Sequence, residues 1–126
     1  MTILNLTTNE LQFITVLWNA DEPLTGAEIL NRSVNKTWMD KSLHTLLKSM
    51  LQKNAIKEVG FRKEGKKISR LFEAAVSCEE YYSNVFNGYK GENAVGVLSA
   101  LLKGEDIDED VIRQLEDVIE KRKTEL

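Results

Sequence analysis

Between Trp38 and Ile56 apolar and polar positions alternate at a helical period. Leu43, Leu46, Leu47 and Met50 recur every three or four residues and share one face, while Lys41, Ser42, His44, Thr45, Lys48 and Gln52 share the opposite one. A helix with an oily back and a polar, cationic front is predicted there, opened by the Asp40 carboxylate as a cap for unpaired amides. The same period occurs twice upstream. Thr7 and Glu10 have the spacing of a capping box ahead of Leu11, Ile14, Leu17 and Trp18, and the helix should stop before Asp21-Glu22-Pro23. Thr25 and Glu28 repeat the box and open a second helix, with Ala27, Leu30 and Val34 expected inward. Asn35 to Met39 connects it to the third, and Trp38 should plug the core at that junction.

After Ile56 the period shortens. Strands are predicted from Ile56 to Arg62 and from Lys67 to Ala74 around a turn at Glu64-Gly65, with Arg62, Lys63, Lys66 and Lys67 gathered at the tip. Three helices, the third polar-faced, and then a basic hairpin make residues 1–76 a winged helix-turn-helix.

Residues 77–126 return to the helical period in three segments. Tyr81, Tyr82, Val85, Phe86 and Tyr89 mark the first, Val95, Leu98, Leu101 and Leu102 the second, and Val111, Ile112, Leu115, Val118 and Ile119 the third. Gly88, Gly91 and Gly104 supply the breaks. Helices so short and apolar need a partner surface. Twofold pairing of two chains is the favoured solution, with Tyr82, Val85, Phe86, Leu98, Leu101, Leu102, Val111, Leu115 and Val118 as the dimerisation surface; folding back on the winged domain is the other. The expected fold class is mainly α with a small β-hairpin, a winged helix-turn-helix followed by a helical dimerisation region.

Charge sharpens this picture. The chain carries a net charge of −3, but the stretch from Arg32 to Arg70 has a balance of +8 and residues 77–126 one of −6. An acidic whole with a basic middle points to one surface for a polyanion. The length of 126 residues suits one domain with a helical appendage. No apolar run is long enough to cross a bilayer and the start lacks a signal peptide's pattern, so a cytoplasmic location without membrane attachment is expected. Cys78, the single cysteine, reads as a small apolar filler, and His44, the single histidine, as a groove-facing polar residue. Asp106, Asp108 and Asp110 lack the glycine and terminal glutamate of a calcium loop and read as an acidic helix start. No phosphate loop, thiol-histidine pair or ligand cluster suggests an enzyme, a cofactor or a metal.

The expected partner is double-stranded DNA. Lys41, Ser42, His44 and Thr45 are the candidates for base readout, and Lys48, Arg62, Lys63, Lys66 and Lys67 for phosphates. The alternative is a winged-helix module that binds an acidic protein without reading DNA sequence.

Particular residues also carry a family likeness. Leu6-Thr7 with Glu10-Leu11, the Leu17-Trp18 pair, Trp38 followed by His44-Thr45-Leu46-Leu47 and Lys53, Val76-Ser77 with Glu79-Glu80-Tyr81, and the segment from Leu101 through Ile107 to Leu115 stand in the order and spacing of the penicillinase-repressor family. The chain resembles that family over nearly its whole length. The resemblance implies a homodimeric repressor on a palindromic operator, with the third helix in the major groove. Three departures bear on how it would work. Ser49 stands where many relatives carry arginine in the recognition helix, so affinity and operator sequence are expected to differ from theirs. Ala100-Leu101 replaces the Asn-Phe bond cut by a sensor protease, which argues against induction by that route and leaves a regulatory protease an open question. Paired cysteines near the C-terminus, as in copper-responsive relatives, are missing, which argues against a Cu(I) switch.

Overall fold

A computed structural model of the chain describes residues 4–87 and 91–126. It divides into two compact units, Met1–Asn87 and Gly88–Leu126. In the first, α1 (Thr8–Trp18), a two-residue strand β1 (Leu24–Thr25), α2 (Gly26–Arg32) and α3 (Leu43–Gln52) precede β2 (Ile56–Glu64), β3 (Lys67–Ala74) and α4 (Cys78–Phe86). The second holds α5 (Gly91–Leu101) and α6 (Glu109–Glu125). Helices plus a small antiparallel sheet make a winged helix with a helical C-terminal region, as the periodicity predicted.

Both capping boxes form. Thr7 Oγ1 accepts from the Glu10 amide while the Glu10 carboxylate accepts from the Thr7 amide, and Thr25 and Glu28 reciprocate in the same way at α2. Each such cap is worth about 1 kcal/mol to its helix. The start of α3 differs from expectation. Asp40 opens a 3₁₀ turn, Asp40–Ser42, ahead of the helix, and no side chain caps that turn. Its carboxylate pairs instead with Lys36 Nζ at 2.7 Å, an ammonium that also stands 5.4 Å from the Trp38 ring. A neighbouring cation has taken the group that would have bonded the amides.

The core gathers Phe13, Ile14 and Leu17 of α1, Leu24, Ile29, Trp38, all four predicted residues of α3, and Ile56, Phe72 and Tyr81. Trp38 is buried with its ring 6.1 Å from Phe13, the plug its position suggested. The inner face of α2 was misjudged. Ile29 is enclosed and Leu30 half-buried, whereas Ala27 is exposed in the first turn and Val34 is exposed because the helix stops at Arg32 and Asn35 turns the chain through φ +58°.

The sheet has three strands in the order β1-β3-β2, all antiparallel. β1 is too short to leave a period and was not anticipated. The hairpin turn is Gly65-Lys66, one residue later than expected, because Glu64 pairs with Lys67. Gly65 lies at φ +64°, where a side chain is strained and a two-residue hairpin wants glycine. Between Glu58 and Gly60 the register shifts by a bulge, which bends and twists the outer hairpin.

At the end of β3 the Trp18 indole N–H donates to the Val76 carbonyl at 2.8 Å, and its ring meets Tyr81 and Tyr82 of α4. This aromatic contact holds α4 in the first unit. The units therefore divide after Asn87, whereas the composition suggested a division after Val76. In the second unit Asp108 caps α6 by accepting from the Val111 amide at 3.0 Å, so the acidic run is a helix start. The predicted positions Gly88 and Tyr89 lie outside the described residues, and Gly91 begins α5 rather than breaking the chain.

Candidate nucleic-acid interface

Packing of Leu43, Leu46, Leu47 and Met50 fixes the rotation of α3 about its axis. The opposite side then turns to solvent: Lys41 in the 3₁₀ turn and His44, Thr45 and Lys48 on the helix are exposed, while Ser42 is half-buried. On the hairpin Lys63, Lys66 and Lys67 are exposed as well. The two sets meet. His44 shares a cleft of about 320 Å³ with Lys67, Ser69 and Arg70 of β3, lined also by Leu43, Leu47 and Phe72 and by Thr25, Gly26, Ala27 and Leu30. Helix and wing thus present donors and cations along one opening. Arg70 belongs to this cleft although sequence reasoning gave it no role, and its place in the basic run was the available signal.

Arg62 is placed differently. Its guanidinium donates to Glu28 Oε1 at 2.7 Å, with Glu64 at 3.8 Å, and both Arg62 and Glu28 are about two-thirds covered. The Glu28 carboxyl is held below its usual range by the Thr25 amide, against the opposing effect of burial, and further by Arg62. Arg62 therefore braces the wing against the N-terminus of α2, and a phosphate would have to compete with two carboxylates for it.

A second polar cluster was not foreseen. Glu10, 3% exposed, accepts from Ser49 Oγ at 2.6 Å and from Lys53 Nζ, besides the Thr7 amide. Burial alone would raise its pKa, but the Lys53, Ser49 and Thr7 hydrogen bonds prevail and bring it from 4.5 down to about 2. Lys53 also donates to the Asn5 carbonyl at 2.9 Å. This network ties the back of α3 to α1. Ser49 belongs to it, so that side chain faces α1 rather than the exposed stripe.

Of the positions assigned to dimerisation, Tyr82 and Val85 are exposed on α4, and Phe86 is half-buried and stacked on Tyr82 at 6.4 Å. Leu98, Leu101, Leu102, Leu115 and Val118 are exposed and Val111 is half-buried. Ala100 and Leu101 are exposed in the last turn of α5. Cys78 is half-buried, and burial followed by the charge of Glu79 pushes its thiol up, which suits a filler rather than a nucleophile.

Comparison with protein families matches the penicillinase repressors over residues 6–121. The chain belongs to the penicillinase repressor family. Its general function is that of a DNA-binding transcriptional repressor, in a family of transcriptional regulators rather than enzymes. No curated protein matches the chain. Among the described residues no helix is long and apolar enough to cross a membrane.

Proposed function

We propose that this penicillinase repressor family protein acts as a homodimer on an inverted-repeat operator, with α3 of each subunit in a major groove and the wing on the adjacent backbone. The observation that carries the reading is the shared opening in which His44 of α3 lies beside Lys67, Ser69 and Arg70 of the wing, with Thr45 and Lys48 exposed on the same helix and Lys41 exposed in the 3₁₀ turn before it. An exposed polar helix face suits the major groove, where base edges display distinct donor and acceptor patterns. Lys41, Ser42, His44 and Thr45 read bases, and Lys48, Lys63, Lys66 and Lys67 neutralise phosphates. Arg62 takes a smaller share because Glu28 already engages it.

Dimerisation rests on the apolar side chains that the C-terminal helices leave uncovered, Val95, Leu98, Leu101, Val118 and Ile119 among them. Covering that surface with a second copy joins two α3 helices in one assembly, which is what an inverted repeat requires. Selection of bound duplexes from a random pool tests both halves of the reading. Recovery of an inverted repeat by a protein that sediments as a dimer is expected; a monomer that enriches no duplex at low salt would overturn it.

A further inference from the structure

The wing carries two large apolar side chains in solvent, Phe61 at 66% exposure and Ile68 at 64%. Single exposed apolar residues are ordinary, but these two are neighbours. The register pairs Phe61 with Arg70 and Lys63 with Ile68, so the four residues lie on one face of the hairpin. Phe61 and Ile68 are diagonal to each other, and each faces a cation across the strands. The result is a checkerboard of apolar and cationic side chains, with Lys66 and Lys67 next to it at the tip.

We infer that Phe61 and Ile68 form an apolar ridge that enters the minor groove beside the site read by α3 and kinks the duplex there. This rests on the proposed reading of α3 and the wing. The occupant is argued from complementarity. The minor groove has walls of apolar deoxyribose and a rim of phosphates, so a surface that alternates carbon with positive charge matches it in both respects. An apolar protein partner would leave Lys63, Lys66 and Lys67 to be desolvated without counter-charges. Arg70 lies 3.5 Å from Glu58 and over the Phe72 ring at 5.1 Å, which holds its guanidinium beside the ridge. Apolar wedges between base steps open the stack and bend the helix, and they do so most readily at pyrimidine-purine steps and least readily in A-tracts. The ridge thus gives the protein sequence preference at flanking positions where it makes no hydrogen bond to a base.

The test uses the full chain and the duplex recovered by selection, prepared with either a TpA step or an A-tract at the flank beneath the wing. Affinity is read by titration and bending by energy transfer between the duplex ends. The wild type is expected to bend the TpA duplex and to prefer it to the A-tract duplex. Phe61→Ser and Ile68→Ser should each lose about tenfold in affinity for the TpA duplex, the scale of partly burying one such side chain, and should lose most of the bend. Phe61→Leu should keep both. Since Phe61 and Ile68 are exposed, the serine variants should melt as the wild type does, and a lowered melting temperature would redirect the test to Phe61→Leu against Phe61→Gln. Unchanged affinity and bending in the serine variants overturns the ridge, as does a fall in sedimenting mass with bending intact, which would make the face a protein contact. A wild type that enriches no duplex fails the repressor reading instead, so the two failures are distinguishable.

Discussion

Phe13 and Val118 are both apolar residues of amphipathic helices, yet Phe13 is fully enclosed and Val118 is 63% exposed. The contrast extends to their units. The first encloses its apolar faces with three helices packed on a sheet and an aromatic clasp from α4, whereas no described residue of the second is buried. Apolar stripes that remain open along α5 and α6 have the pattern of an interface more than of a core, so the first unit specifies its own fold and the second leaves the surface that the proposed dimer would cover. The most forceful way to test this contrast is truncation on each side. Phe13→Ala should cost about 3–5 kcal/mol, from lost transfer energy and the cavity left behind, whereas Val118→Ala should change the first unit's unfolding free energy by less than about 0.5 kcal/mol. Urea titration followed by Trp18 and Trp38 fluorescence reads both.

A charge placed on the open stripe should break assembly without breaking the fold. Val118→Glu is expected to halve the sedimenting mass and to lower operator affinity by about a hundredfold or more, because two tethered half-site contacts become independent. The first unit's urea midpoint should stay where it was. If the mass stays dimeric and operator affinity is unchanged, α6 is not the dimer surface.

Glu10 sharpens the comparison from inside the first unit, where a buried charge rather than a buried ring joins two helices. Its carboxyl titrates near 2 when folded and near 4.5 when free, so the stabilisation is complete above about pH 4.5 and is lost as pH falls toward 2. That shift corresponds to something on the order of 3 kcal/mol. Glu10→Gln can keep the capping box with Thr7 but leaves the Lys53 ammonium without its counter-charge. A loss of about 2–3 kcal/mol at pH 7 is expected, shrinking as the pH is lowered through that window. A loss that does not change between pH 6 and pH 3 would show that the charge is not what matters.

What the sequence disclosed follows a physical division. Periodicity and capping boxes are local, so α1, α2, α3 and the hairpin could be read from side chains a few residues apart, and the exposed face of α3 followed from its buried one. Contacts between distant segments left no such trace. Nothing local says that Glu10 reaches Ser49 and Lys53, that Arg62 is drawn to Glu28, or that Leu24 adds a third strand to the hairpin. For the same reason the cationic count was visible while its division was not: some cations hold the fold and others face outward, and only packing separates Lys53 and Arg62 from Lys48 and Lys66.

The smallest expected effects test that separation. Thr45→Ala removes a hydroxyl and a methyl from the exposed face of α3, so it should cost about 1–3 kcal/mol on the selected operator and almost nothing on a scrambled duplex. Lys66→Ala removes one charge from the turn of the wing, where Gly65 already sets the backbone, so the fold should not change. Its loss should be modest and equal on both duplexes, with the slope of log affinity against log salt falling by about 1 per subunit. Lys53→Ala gives the contrast. It should lower the melting temperature while leaving that slope nearly intact, because its ammonium already serves Glu10 and the Asn5 carbonyl. If gel-shift titrations over a range of salt gave Lys53→Ala and Lys66→Ala the same slope, the division of cations into those that brace and those that grip would fail.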